Sequence, residues 1–213
     1  MIEGALACRT MTTLFAALAV VGCSLLLLGG AAPEPNPAPQ RWELQIKPGP
    51  LRIASVDAGD TTGLYLYFTY SVTNKSGQSV LFAPMFTLAT DDGGTQIAGD
   101  GAPGEVSREL LSRLANPFLE GQLGIIGPLQ QGPENAREGL VIWPLLKADV
   151  DEIKVFCAGF SGETARLRIT DPVTGDPKTV TLRKTLMLRY STPGHLGADA
   201  QPLELVDQRW IMR

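Results

Sequence analysis

Apolar and polar side chains alternate strictly between residues 64 and 73. The even positions carry Leu, Phe, Tyr and Val, whereas the odd positions carry Tyr65, Tyr67 and hydroxyl residues. A period of two places successive side chains on opposite faces, so this segment predicts a β-strand with one buried face. The sequence Asn-Lys-Ser-Gly at 74–77 then predicts a turn, because Asn and Gly tolerate positive φ.

Shorter runs of the same kind predict further strands, separated by clusters of Gly, Pro, Asn and Asp. They cover residues 80–90, 139–144, 152–158, 165–170, 179–190 and 203–210. Pro84 marks a bulge or an edge position in the first of them. Residues 171–177 predict the connection of a hairpin. Many short strands with frequent turns predict a mostly β fold, an antiparallel sandwich.

One helix interrupts these strands. The dipeptide Pro-Gly at 103–104 predicts its start, and Asn-Pro at 116–117 predicts its end. Val106, Leu110 and Leu114 fall on one face at helical spacing. The helix therefore has an apolar side that must be buried.

The helix belongs to an insertion at about residues 98–139, which also carries an apolar stretch with Phe118 and Ile125. So apolar a stretch requires either a packing role or a binding role. It covers the sandwich over Tyr65 and Tyr67, or it offers a surface to a partner. We expect any functional surface to be built on this insertion, because the sandwich is complete without it.

The N-terminal residues 1–32 predict a signal peptide or a membrane anchor. Arg9 is followed by an apolar run that ends in Gly and Ala, as in secretory signals, and the run is also long enough to span a bilayer. Residues 20–23, Val-Val-Gly-Cys, resemble a bacterial lipoprotein box, which makes Cys23 a candidate lipidation site. The four leucines after Ser24 depart from that pattern, so all three alternatives stay open.

Residues 33–41 predict a Pro-rich, semi-rigid linker, and the folded domain follows over residues 42–213. The apolar fraction of 44% is too high for global disorder. The formal net charge of −4 argues against non-specific nucleic-acid binding. Cys157 is the only cysteine after the leader, so the domain has no internal disulfide. It shares a strand face with Ile153 and Val155, and we expect a buried, unreactive thiol.

Several segments resemble an uncharacterised family of immunoglobulin-like domains of bacterial secreted proteins and lipoproteins. The first half of the resemblance rests on Tyr-Ser-Val-Thr-Asn-Lys-Ser-Gly at 70–77, Phe-Thr-Leu at 86–88 and Asp-Gly at 92–93. The second half rests on residues 131–134, 139–142 and 151–155. The resemblance implies an immunoglobulin-like sandwich and an envelope location, and it carries no catalytic residues over.

The sequence contains few of the residue types and motifs that form known active sites. His195 is the single histidine and lies in a loop without a nucleophile motif around it. The acidic clusters are Asp57 with Asp60, Asp91 with Asp92, and Asp149 with Asp151 and Glu152. Short acids of this kind usually cap turns, and these lack the pattern of a calcium loop. The sequence therefore predicts no catalytic residue, metal site or cofactor.

Two groups of strand residues are candidates for a binding surface. Arg166 and Arg168 alternate with core residues, as do Arg183 and Arg189, so pairing of the two strands gives an arginine ladder. Such a ladder binds an anion such as a carboxylate or an acidic glycan, or it pairs with nearby acids on a solvated face. Exposed Tyr65 and Tyr67 would stack on sugars or on a partner protein.

We therefore expect an exported protein, periplasmic, secreted or on the cell surface, that acts as a non-catalytic binding or structural module. Its partner would be a protein or glycan of the envelope, with the membrane contacted only through the N-terminal segment. The alternative is a carboxylate-dependent hydrolase, for example a glycosidase. It needs two carboxyl groups roughly 5 to 10 Å apart across a cleft.

Overall fold

The computed structural model describes residues 33–58, 61–198 and 200–213. The predicted signal or anchor segment 1–32, with Cys23, lies outside the described residues. One helix is described, α1 (Gly104–Leu114). The strands are β1 (Leu44–Ala58), β2 (Thr61–Asn74), β3 (Val80–Phe82), β4 (Met85–Thr90), β5 (Thr95–Ile97), β6 (Leu119–Glu120), β7 (Gly127–Leu129), β8 (Gly132–Pro144), β9 (Glu152–Ala158), β10 (Thr164–Thr170), β11 (Pro177–Ser191) and β12 (Glu204–Met212).

The predicted mostly β, antiparallel architecture is confirmed, and the strands form more than one sheet. Sheet I has the order β1-β2-β8-β6, in which β6 runs parallel to β8. Sheet II has the order β10-β11-β9-β4-β5, with β12 on the other edge of β11. The short strands β3 and β7 form a separate pair.

The single strand predicted over residues 80–90 is wrong, because the chain changes sheets at Pro84. Val80–Phe82 pairs with β7, whereas Met85–Thr90 pairs with β9 and β5. Proline has no backbone N–H to donate, so a ladder cannot run through this position unbroken. Pro84 lies between β3 and β4, so the predicted bulge or edge position is wrong.

A cluster of aromatic rings joins the inner faces of the two sheets. Phe68 and Tyr70 project from β2, and Phe86 projects from β4 of the other sheet. The ring centroids of Tyr70 and Phe86 are 5.0 Å apart, and those of Phe68 and Phe86 are 5.6 Å apart. Phe160 packs edge-on against Tyr70 at 5.7 Å. All four side chains are 3% exposed or less, so they form the centre of the common core.

The helix covers the outer face of sheet I. Val106 and Leu110 on α1 are 0% and 2% exposed and pack in one cluster with Tyr65, Val56 and Leu140 from the sheet. The apolar side predicted for the helix is therefore the side that it buries. The helix acts as a second layer on a sheet whose inner face is already filled.

The rest of the insertion contributes directly to the main core. Ile125 and Leu129 are both 0% exposed and belong to the same cluster as the aromatic rings. Arg137 closes this end of the core, since its Nε lies 2.8 Å from Glu120 Oε1 and its Nη2 donates to the Gly124 carbonyl at 3.0 Å. The insertion is thus a covering element over much of its length.

The strand β11 extends beyond its neighbours β9 and β12. Its second half, residues 184–191, lies between β9 and β12, whereas its first half pairs with β10. At Arg183 the partner on the β12 side is Arg213, through backbone hydrogen bonds of 2.7 and 3.1 Å. Beyond that point β10 and β11 continue as a two-stranded hairpin, which we call the basic hairpin (residues 164–183).

The Pro-rich linker is bound to the domain at Asn36. The Asn36 N–H donates to Glu163 Oε1 at 2.8 Å, and Lys184 Nζ donates to the Asn36 carbonyl at 3.0 Å. Lys184 is 3% exposed and also lies 2.9 Å from Glu43 and 3.2 Å from Glu163. The Asn36 N–H, together with Lys184, holds the pKa of Glu163 below its usual range. The stability that the ionised carboxylate contributes is therefore fully present above the ordinary glutamate pKa, and it is lost as pH falls through the lower folded pKa.

We predict that Leu110→Ala lowers the free energy of unfolding by about 2–4 kcal/mol, because it leaves a cavity between α1 and sheet I. Leu123→Ala is the matched control, since Leu123 is 84% exposed, and should change stability by about 0.5 kcal/mol or less. Urea denaturation of the purified proteins measures both values. Equal effects of the two substitutions would contradict a covering role for the helix.

Candidate binding surface

Pairing of β10 with β11 brings the candidate arginines onto one face of the basic hairpin. Arg166 lies opposite Thr181, Arg168 lies opposite Thr179, and Arg183 lies opposite Thr164. Directly paired residues point to the same side of a sheet, so the three arginines share a face with threonines between them. The arginine ladder that depended on this pairing is therefore present at these three positions.

These three arginines are exposed and carry no described counter-charge. No carboxylate of the described residues lies within 4.0 Å of the guanidinium of Arg166, Arg168 or Arg183. Side chains two residues apart on one strand face are about 7 Å apart, which is within the Debye length at physiological salt. The positive charges therefore repel one another, and an anion bound between them would relieve that repulsion.

Arg189 does not belong to this unpaired group. Its Nη1 lies 3.0 Å from Glu152 Oε2, and Lys154 Nζ lies 2.7 Å from the same carboxylate. The hydrogen bonds from Lys154 and Arg189 lower the pKa of Glu152. Of the two alternatives for the ladder arginines, Arg189 therefore follows the second, because Glu152 of a neighbouring strand pairs with it.

Arg213 extends the cationic surface and was missed from the sequence. It pairs with Arg183 across the sheet, and its guanidinium carbon lies 3.9 Å from the ring centroid of Phe156. A guanidinium at this distance from an aromatic face is held by a cation–π contact. The available signal was the antiparallel pairing of the last strand with β11, which places Arg213 beside Arg183. We call Arg166, Arg168, Arg183 and Arg213 the basic face.

The aromatic and apolar candidates separate into buried and exposed residues. Tyr65 is 7% exposed and Ile125 is 0% exposed, so neither belongs to a binding surface. Tyr67 is half-buried and packs against the cluster that contains α1. Stacking of Tyr65 on a ligand is thus excluded by the helix that covers it. Phe118 is 77% exposed and, with Leu123, remains available at the surface of the insertion.

Each of four clefts formed by described residues is lined by a single carboxylate. The cleft beside α1 has a volume of about 580 Å³ and contains Asp100. The cleft beside His195 has about 610 Å³ and contains Glu204. Two smaller clefts, of about 140 and 290 Å³, contain Asp92 and Glu138 respectively. Paired carboxylates facing each other are not found in these four clefts.

His195 and the acidic clusters bind local partners. His195 Nδ1 lies 2.7 Å from Asp149 Oδ1, and both side chains are more than 70% exposed. Asp92 accepts hydrogen bonds from Lys147 and from Thr90, and these bonds hold its pKa well below the usual range.

The remaining acids of these clusters also serve turns. Asp91 accepts from the Asp151 N–H at 3.3 Å, and Asp57 accepts from Thr62 at 2.6 Å. Asp60 lies outside the described residues. Among the residues that are described, no group of three or more His, Cys, Asp or Glu converges as metal ligands would.

A scan against protein-family models, a search of curated proteins and a search of solved structures each found no match to this chain. The resemblance to immunoglobulin-like domains of bacterial secreted proteins therefore stays a prediction. In the described ranges, no helix combines the length and apolarity needed to cross a bilayer.

Cys157 is fully buried in the common core, as expected, and burial raises the pKa of its thiol. We predict that the native protein reacts with a thiol reagent at least about a hundredfold more slowly than the urea-unfolded protein, because the reactive thiolate is both inaccessible and disfavoured. Quenched labelling followed by mass spectrometry gives the reaction rates of the folded and of the unfolded protein. Rapid stoichiometric labelling of the folded protein would contradict this placement.

Proposed function

We propose that this protein is a non-catalytic binding module of the cell envelope, and that its basic face holds a carboxylate-bearing polyanion. The observation that carries the proposal is the group of exposed arginines Arg166, Arg168 and Arg183, which share one face without a described acidic partner. A chain with a net charge of −4 concentrates unpaired cations here. Such local segregation of charge attracts an oppositely charged partner and orients it.

The chemistry of arginine supports a carboxylate ligand with a repeating charge. A guanidinium presents a planar fork of donors that matches a carboxylate in two parallel hydrogen bonds. The three guanidinium groups lie on the same face of two paired strands. They suit a ligand whose carboxylates recur along a chain, such as an acidic glycan or an acidic protein segment. The threonines between the arginines add neutral donors and acceptors.

An envelope location and an immunoglobulin-like fold belong to the same proposal. The basic start and apolar run of residues 9–32 support export, and the motifs at 70–77 and 151–155 support the immunoglobulin-like assignment. Two sheets that share one core, as observed, are compatible with that assignment. An acidic glycan or a protein of the envelope is then the source of the anion.

The rival proposal, a carboxylate-dependent hydrolase, receives less support. Hydrolysis of a glycoside requires an acid on each side of the bond that breaks. The four clefts described above each contribute one carboxylate. The arginines, in contrast, are exposed on one face of a two-stranded hairpin, which suits binding along a surface.

We predict that the triple substitution Arg166→Ala, Arg168→Ala and Arg183→Ala weakens binding of polygalacturonate and of poly-L-glutamate at least tenfold, because it removes the unpaired forks. Raising the salt concentration should weaken the unsubstituted protein in the same direction. The control is Arg52→Ala, Arg108→Ala and Arg113→Ala, which removes the same charge elsewhere. Titration calorimetry measures all affinities, and equal losses in the two triple variants would reject the proposal.

We predict export of the protein with its folded domain outside the cytoplasm. Mass spectrometry of the N-terminus of the native protein distinguishes the alternatives. A start within the Pro-rich linker indicates a cleaved signal, and a diacylglycerol on Cys23 indicates a lipoprotein. An intact Met1 in a membrane fraction indicates an anchor, whereas an intact Met1 in a soluble cytosolic fraction would contradict export.

A further inference from the structure

The basic hairpin leaves the backbone of β10 without a neighbour on its outer edge. In the described residues β10 is the last strand of sheet II and pairs only with β11. The open edge is seven residues long, which is a full strand in most globular proteins. An unpaired edge of this length is a template on which another extended chain can add a strand.

Hydrogen bonds at the two ends of the hairpin fix which backbone groups point outward. The Lys184 N–H donates to the Glu163 carbonyl at 3.0 Å, and the Asp171 N–H donates to the Asp176 carbonyl at 2.8 Å. Glu163 and Asp171 flank β10 on either side, and both are odd-numbered. The backbone groups of odd-numbered residues therefore point toward β11. Because backbone groups alternate sides along a strand, even-numbered residues of β10 point away from β11.

The outward backbone groups therefore belong to the arginines themselves. Arg166 and Arg168 each present an N–H and a carbonyl to the open edge, together with Thr164 and Thr170. Their side chains lie on one face, and the half-buried Leu167 lies on the other. A strand that pairs here meets, at successive positions, a cation, an apolar side chain and a cation.

The same arginines oppose pairing of two copies of this chain through β10. An antiparallel pair of identical β10 strands with matched faces sets arginines opposite or diagonal to arginines. Like charges placed across a ladder are destabilising. A partner strand with carboxylates at those positions forms cross-strand ion pairs at a Cβ separation of about 5 Å instead. Charge complementarity thus favours an acidic partner over a second copy.

We propose that the partner is an extended segment of another protein in which carboxylates alternate with apolar residues, and that it adds to sheet II as a strand beside β10. The backbone of Arg166 and Arg168 supplies the ladder, and their guanidinium groups bind the flanking carboxylates. The apolar residue between them packs against Leu167. This inference rests on the proposed function, since it names the partner of the same basic face.

The test uses the full chain and two synthetic peptides, one alternating Glu and Val over seven residues and one of the same composition with all Glu residues first. We expect the alternating peptide to bind about tenfold more tightly, because only it presents all its acids on one strand face. Fluorescence anisotropy measures the affinities. Amide hydrogen exchange should show protection of the Arg166 and Arg168 N–H groups in the complex.

Proline substitutions separate the backbone ladder from the charge. Thr170→Pro and Arg168→Pro remove one outward N–H each, whereas the matched controls Thr170→Ala and Arg168→Ala do not. We expect each proline variant to bind the alternating peptide at least about fivefold more weakly than its alanine control. Polygalacturonate, which has no peptide backbone, should not distinguish proline from alanine. Thermal unfolding identifies a proline variant that is not folded, and the other pair then decides.

The outcomes distinguish failure of this inference from failure of the proposed function. Equal binding of both peptides and of each proline and alanine pair, with the arginine dependence retained, would reject strand addition but leave anion binding intact. Binding of polygalacturonate alone would reject it in favour of an acidic glycan. If neither peptide nor polysaccharide binding depends on the arginines, both proposals fail.

Discussion

Contact between aromatic rings of the two sheets is the constraint on which the architecture depends. With Cys157 as the only cysteine after the leader, no disulfide joins the sheets within residues 33–213. Phe68 and Tyr70 meet Phe86 across the interface at centroid distances of 5.6 and 5.0 Å, and such pairs contribute beyond their buried area. Gly139 makes room for this packing, because a Cβ there would lie 2.5 Å from the Tyr70 ring.

The limits of that core explain where the proposed binding surface lies. Sheet I is filled on its inner face by the aromatic cluster and on its outer face by α1. In sheet II, β11 runs beyond β9 and β12 together with β10. The exposed arginines lie on that extension, where burying them is not required and their desolvation costs little. The buried core and the proposed binding surface therefore occupy different parts of the same strand.

The sequence predicted what depends on local periodicity and missed what depends on tertiary contacts. Alternation located β2 and β9, and helical spacing located α1. It missed β1, because Pro48 and the following Gly interrupt the alternation where the register shifts. Among site residues, the shared face of Arg166 and Arg168 follows from strand parity, but the place of Arg183 on that face depends on the register of the hairpin. Burial of Ile125 required knowing which surface the insertion contacts.

The hydrogen bonds at Asn36 shorten the part of the Pro-rich linker that is not attached to the domain. An extended polyproline chain over residues 33–41 would reach about 28 Å, at about 3.1 Å per residue. With Asn36 fixed to Glu163 and Lys184, only Pro33 to Pro35 precede the attachment, a reach of about 9 Å. If the leader is retained in a membrane, the volume available to the domain shrinks roughly thirtyfold, since it scales with the cube of the reach. A shorter tether raises the effective concentration of targets within its reach and excludes those beyond it.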